Sequence, residues 1–281
     1  MGIRLRYIEN ILAYLIIIPL LLLFLFPFLW LIITSVKEGT DAIAIPPIWD
    51  FHPTFNNYIS LFRSTEGRSA DFSGMLVSSV IVSVVTTILG LITGTMGAYA
   101  IARYKFKGKD FISTWTLSTL MVPAAVSLIP IFLLVGSLNL MDTYIALIIP
   151  YVAFNLPLII WMIRGFILDV PVAIEEAAMV DGCSTFQILW KVVIPLILPG
   201  MAATSILALI QSWNEFLFAL VLTRDMAKTA PIGIAEFITM YGIQWGEMTA
   251  ASIVITSPII IFTIFVRKYL VRGLTFGAVK G

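Results

Sequence analysis

Six long apolar stretches constrain this chain more than any other feature. They are Ile11–Ile33, Met75–Ala102, Phe111–Gly136, Tyr144–Ile167, Pro199–Leu222 and Thr249–Val266. About 20 mainly apolar helical residues cross the ~30 Å hydrocarbon core of a bilayer. A backbone in lipid must also satisfy its own hydrogen bonds, which a helix does. The expectation is an all-α polytopic membrane protein with six transmembrane helices. Composition agrees, with 60% of the 281 residues hydrophobic and 12% charged, against about 45–50% and about 25% in soluble domains. The first stretch, 23 residues long, exceeds the ~7–15-residue core of a signal peptide, and no small-x-small cleavage site follows it. It reads as a retained anchor.

Lys and Arg beside the spans predict orientation. With the N-terminus in the cytoplasm, twelve basic residues lie inside: Arg4, Arg6, Arg103, Lys105, Lys107, Lys109, Arg164, Lys191, Arg267, Lys268, Arg272 and Lys280. Five lie outside: Lys37, Arg63, Arg68, Arg224 and Lys228. Six spans then return the C-terminus to the cytoplasm. The expected organisation is a first helix (about 11–33) with an outer loop over 1–74, a transmembrane core over 75–268, and a cytoplasmic tail over 269–281. The core's helices fall at about 75–102, 111–136, 144–167, 199–222 and 249–266, and a cytoplasmic loop occupies 169–198.

The outer loop carries a Pro- and aromatic-rich stretch, Ile45–Tyr58, expected to be ordered but not helical. It is either a cap on the outer mouth or a contact for an external partner. Gly90 and Gly94 form a GxxxG in the second span, where small residues let helices approach closely. Pro123, Pro130, Pro150, Pro157 and Pro258 interrupt the later spans and remove helix hydrogen bonds.

Several kinds of chemistry are excluded. A net charge of +1 argues against nucleic acid, and one His and one Cys leave no metal cluster and no internal disulfide. There are no paired intramembrane acids for acid–base work. No GxxxxGK[ST] phosphate loop is present, so any ATP must be used by another subunit. Glu215 is the only acid well inside a predicted span, ~24 Å along the fifth helix from Pro199 at ~1.5 Å per residue. Intramembrane acids are functional candidates because burying them is costly. Asn155, Gln211 and Asn214 are polar groups in the spans and join Glu215 as candidates for lining a path.

The loop over 169–198 is the polar exception. Asp169-Val170-Pro171 reads as a helix start, with Asp169 the cap. Glu175 and Glu176 occupy its opening turns, where acids suit the positive helix end, and Ala177 and Ala178 follow. Gly182 supplies a turn with positive φ. Ser184-Thr185-Phe186-Gln187 is a capping box opening a second helix, on which Phe186, Leu189, Trp190 and Val193 can share one face. Pro195 and Pro199 are expected to end that helix before the fifth span.

The order of these residues resembles a family. Glu176-Ala177-Ala178, then Gly182, Val192, Ile194 and Pro195, match the EAA motif of permeases in binding-protein-dependent ABC importers. Val192 and Ile194 depart mildly from the usual Ile and Leu. WNEFLFAL, from Trp213, and GLTFGAVKG, from Gly273, are similar to the smaller partner in maltose-type sugar permease pairs. The resemblance implies the type I ABC importer permease fold and a non-catalytic transport subunit. Glu176, Ala177, Ala178, Gly182 and Pro195 would couple to an ATPase, with Gly277, Lys280 and Gly281 of the tail touching it too. It implies as partners a second, homologous permease, two copies of a cytoplasmic ABC ATPase that bind ATP with Mg, an external sugar-binding protein and membrane lipid. No cofactor is implied for this chain, and the cargo implied is a di- or oligosaccharide. The competing readings are a stand-alone secondary transporter or channel, and a membrane-embedded enzyme.

Overall fold

The structure, a computed structural model, describes residues 2–63, 72–239 and 242–276. In chain order its helices are α1 Gly2–Ser35, α2 Gly39–Ala42, α3 Asn56–Leu61, α4 Phe72–Arg103, α5 Lys109–Thr119, α6 Ala124–Ser137, α7 Tyr144–Asp169, α8 Val172–Val180, α9 Thr185–Ile188, α10 Ile194–Trp213, α11 Leu217–Leu222, α12 Ala230–Ala235 and α13 Trp245–Phe276. A π-helical turn, Leu189–Val193, joins α9 to α10, and β1 Ile238–Thr239 pairs antiparallel with β2 Gly242–Ile243. Among the described residues, five helices are long and apolar enough to cross a membrane, and α5 with α6 supplies up to a sixth. The protein is a multi-pass membrane protein.

Two stretches depart from the straight helices expected. Phe111–Gly136 is two helices bent by 94° between Thr119 and Ala124. Pro123 lacks an N–H and disfavours helical geometry at the residue before it, so α6 restarts with Pro123 as its extended cap. Pro199–Leu222 begins earlier than expected and is interrupted. α10 starts at Ile194, ends at Trp213, and α11 resumes at Leu217.

By contacts the chain forms two compact units, residues 1–71 with 234–256 and residues 72–233 with 257–281. In the first unit the stretch after α1 folds back on that helix's end. The Asn57 side-chain amide donates to Ser35 O (2.8 Å) and Lys37 O (2.7 Å), and Thr54 N–H donates to Val36 O (2.8 Å). Lys37 is buried. Its Nζ donates to Ile48 O at 2.6 Å and lies 4.8–6.0 Å from the ring centroids of Phe51, Trp30 and Trp49. Rings holding an ammonium by cation–π attraction account for the order of the Pro- and aromatic-rich stretch. Ile45, Trp49 and Phe55 remain exposed.

The second unit is built on α4 and α7, which run in the same direction. The Ser78 and Tyr144 hydroxyls lie 3.4 Å apart near their starts, and Arg103 reaches Ile167 O near their ends. The GxxxG is the seam between them. A Cβ on Gly94 would lie 2.5 Å from Ile159 Cγ2, and one on Gly90 would lie 2.8 Å from Ile159 Cδ1. In lipid, such close approach gains dispersion contacts that a larger side chain would prevent. α10 closes on α7 by the same device, with Gly200 against the Phe166 ring. Ser and Thr in these helices donate back to their own carbonyls, as in Thr87 to Ser83 O (2.7 Å) and Thr204 to Gly200 O (2.9 Å). These two hydroxyls add small volume with their hydrogen bonds satisfied, whereas the buried Thr86 and Thr95 hydroxyls of α4 have no partner among the described residues.

At one end of this unit, Asp142 holds the chain after α11. Its carboxylate accepts the N–H groups of Arg224, Asp225, Met226 and Ala227 at 3.0–3.2 Å, and its own N–H donates to Leu222 O. Partial burial pushes this carboxyl up, but the four backbone donors outweigh it and hold the group below its ordinary value.

Two outcomes are expected. Gly94→Ala should destabilise the protein by about 1–3 kcal/mol through overpacking, read as a lower melting midpoint in detergent. Adding Ile159→Ala should cost less than the sum of the two single changes. A depressed folded pKa means that the stabilisation is complete above the ordinary carboxylate value and is lost as pH falls through the folded one. Exchange protection of the amides of residues 224–227 should hold at neutral pH, decline below about pH 4, and already be reduced at neutral pH in Asp142→Ala.

Candidate functional site

The helix–turn–helix after α7 forms as expected, with corrections at both ends. Asp169 is the last residue of α7 and does not cap α8. Val170 is extended, and Pro171 precedes α8 with no side-chain cap bond. α8 closes in a Schellman motif, in which Cys183 N–H donates to Ala178 O and Gly182 N–H to Met179 O, both at 3.0 Å. That geometry needs a left-handed residue after the cap, and Gly182 has φ +83° with open space where a Cβ would stand. The capping box is present: Gln187 N–H donates to Ser184 Oγ (3.4 Å) and Ser184 N–H to Gln187 Oε1 (2.8 Å).

Pro195 and Pro199 do not end the second helix. The chain runs helically from Thr185 to Trp213, through the π turn Leu189–Val193. A proline ring strikes the carbonyl four residues back, and a widened turn just before Pro195 gives that ring room. The expected face is divided as well. Leu189 and Val193 are buried with Ile188 and Ile197, while Phe186 and Trp190 are exposed and in tilted contact, with ring centroids 5.9 Å apart.

The exposed surface of α8 carries Glu176 and Ala177, with Ala178 half-buried beside them. Met179 and Val180 give the patch an exposed apolar rim on α8, and Phe186 and Trp190 are exposed further along the chain. An alanine pair leaves room for another surface to approach the helix, and the apolar rim offers area to bury against it.

Glu175 is the residue that sequence reasoning missed. Read as a helix-end acid, it is instead buried, with its side chain only 3% exposed. Arg103 Nε donates to Glu175 Oε1 at 2.7 Å, and the Tyr99 hydroxyl donates to Oε2 at 2.9 Å. Arg103 Nη2 also donates to Ile167 O (2.8 Å) and Val170 O (2.7 Å). No local signal separates it from Glu176, because the face that turns inward is known only from the structure. Glu175 stands three residues before Ala178, so the two share a face, whereas Glu176 is turned from it.

The candidate path residues fall into two groups. Asn155 and Glu215 come together through Tyr151. Asn155 Nδ2 donates to Tyr151 O (2.8 Å) and Ser212 Oγ (3.1 Å), and the Tyr151 hydroxyl donates to Glu215 Oε2. Glu215 also accepts Phe218 N–H (2.9 Å) and Ala219 N–H (3.2 Å), the free donors at the start of α11. Its carboxylate is a helix cap at the break in the fifth stretch. Gln211 and Asn214 are exposed, three residues apart. Gly277, Lys280 and Gly281 lie outside the described residues. Among the described residues, no three His, Cys, Asp or Glu side chains come together as metal ligands.

Apolar spans, small-residue seams and an exposed helix–turn–helix between two spans are the architecture of a membrane transport component. The chain belongs to the family of binding-protein-dependent transport system inner membrane components, whose family model matches residues 87–276. It is 38% identical over 257 residues to a probable ABC transporter permease, y4oR, of Sinorhizobium fredii, covering 92% of this chain and 91% of that one. It is 36% identical over 259 residues to the trehalose/maltose transport system permease protein MalG of Thermococcus litoralis, covering 92% of each. The fold matches a chain of a bacterial ABC transporter involved in the import of the acidic polysaccharide alginate. The TM-score is 0.74 at 24% identity, over 95% of this chain and 98% of that one. This is the type I ABC importer permease fold, and the stand-alone transporter reading gives way to the family.

Glu215→Gln keeps an acceptor for the α11 amides and should change stability little. Glu215→Ala strands them and the Tyr151 hydroxyl, at a cost of about 1–3 kcal/mol. Melting midpoints of the two variants in detergent check this.

Proposed function

We propose that this chain forms half of the translocation pathway of an ATP-driven importer for a di- or oligosaccharide and does not itself catalyse. The observation that carries the coupling role is the exposed face of α8, with Glu176 and Ala177 outward and the helix stopped sharply at Gly182. That face would dock on a cytoplasmic ATPase, with the surroundings of Ala178 and the turn before Pro195 fixing its angle. The ATPase binds ATP with Mg; two copies of it, a second, homologous permease and an external sugar-binding protein complete the assembly. ATP and the sugar-loaded receptor each act by binding one conformation of the assembly better than the other. The excess of Lys and Arg at one set of span ends supports cytoplasmic termini, and the tail residues Gly277, Lys280 and Gly281 would then lie on the ATPase side.

The sugar assignment rests on relatives. Besides the trehalose/maltose permease, a trehalose transport system permease of Mycobacterium tuberculosis is 37% identical over 260 residues. Asn155, tied inside the helix packing, would shape the path rather than meet cargo. Gln211 and Asn214, both exposed, would meet it, and Glu215 would hold the break beside them.

The test begins with purification of the tagged chain in mild detergent. A second permease and a P-loop ATPase should accompany it in near-stoichiometric amounts. In the reconstituted complex, Ala177→Trp and Gly182→Val should each lower transport per ATP hydrolysed. Gly182→Val adds about 1–2 kcal/mol of left-handed backbone strain while leaving the spans folded. Recovery of the chain alone, with solute flux in liposomes that needs no ATP, would overturn the proposal.

A further inference from the structure

α8 is tied to the spans by a thin connection. It follows α7 after one extended residue, Val170, and Pro171, and its first turn has no side-chain cap. Left to that connection, α8 could pivot about Val170–Pro171, and a push on its exposed face would be absorbed locally. The structure closes off that pivot. Arg103, the last residue of α4, uses one nitrogen to hold Glu175 of α8 and another to hold the Ile167 and Val170 carbonyls at the end of α7. Tyr99, one turn earlier on α4, takes the other Glu175 oxygen. Four side-chain bonds at 2.7–2.9 Å thus join three elements at one point.

Two physical arguments give this junction a role beyond folding. A buried ion pair is a weak source of stability, since apolar residues of similar volume often do as well. What the pair fixes is direction, because the planar guanidinium fork holds its acceptors at set angles and a lysine ammonium does not. The carbonyls at the end of α7 carry its negative dipole end, which suits the cation. Glu175 is also the immediate neighbour of exposed Glu176 and Ala177. Force entering α8 on its outer face therefore leaves one residue away, on its inner face, into α4 and α7.

We infer that Arg103 is the positioning residue that makes α8, α4 and α7 move as one body, so that displacement of the docking helix becomes displacement of the two spans. This rests on the proposed coupling role of α8, and the experiment separates the two claims. The assembled transporter, with its second permease, ATPases and receptor, is reconstituted in liposomes on a Cys183→Ser background. Ala177→Cys is tested for crosslinking to the ATPase. Spin labels at Val172→Cys and Met96→Cys, both exposed positions, report the distance between α8 and α4.

The expected result is a crosslink, a narrow distance distribution in the parent, and a broad one in Arg103→Lys and Glu175→Gln. Transport per ATP hydrolysed should fall at least about fivefold, the lower end of ordinary coupling energies, while most hydrolysis remains. Tyr99→Phe, which loses one bond, should fall less, and it serves as the variant if the others fail to assemble. If Ala177→Cys does not crosslink, the docking role fails and this inference falls with it. If it crosslinks, but the distance distribution stays narrow or transport per ATP is unchanged in the variants, docking stands and the rigid junction is overturned.

Discussion

A helix that ends in or beside hydrocarbon leaves N–H and C=O groups that water cannot reach, and each would cost several kcal/mol. This chain meets that demand with charged side chains. Glu215 accepts the first amides of α11, Arg103 donates to the last carbonyls of α7, and Asp142 accepts four amides beyond α11. Each sits where a helix stops, and each lets the backbone turn without opening the packing. The break before α11, the end of α7 and the turn after α11 rest on these groups.

The same economy explains why so few polar residues suffice. Between the breaks, α4, α7 and α10 pack through Gly90, Gly94 and Gly200, against Ile159 and Phe166. Contacts of this kind are steep functions of distance, so the helices have few ways to slide on one another. A rigid bundle of this sort is what the docking role proposed for α8 would need behind it. The π turn adds the last adjustment, carrying the second helix of the loop directly into α10 despite two prolines. A change of angle at Phe186 or Trp190 thereby becomes a change of angle along a span.

Much of this was legible in the residues. The apolar runs found α1, α4, α7 and α13 because hydropathy and length alone select spanning helices. Gly182 and the Ser184–Gln187 box were readable because turns and caps are local, decided by a few adjacent backbone angles and one side-chain oxygen. The bend between α5 and α6 was only half legible. Pro123 marked the place, but 94° depends on what the two helices pack against. Pro195 was misread for the opposite reason: a proline stops a helix unless the turn before it widens, and nothing near Pro195 announces that widening.

The adjacent acids show where reading ends. The sequence by itself determined that the chain spans the membrane, that a polar helix–turn–helix interrupts the spans, and that Glu175 and Glu176 lie on its first helix. Only the tertiary structure decided that Glu175 is buried against Arg103 and Tyr99 while Glu176 faces outward. Identical side chains one residue apart point about 100° from each other on a helix. Which one turns inward is set by a cation 72 residues away in sequence, brought there by the close approach of α4 to α7. Glu215 follows the same logic: its place in a span was readable, but its task as a cap arose from a break in the helix that only packing produced.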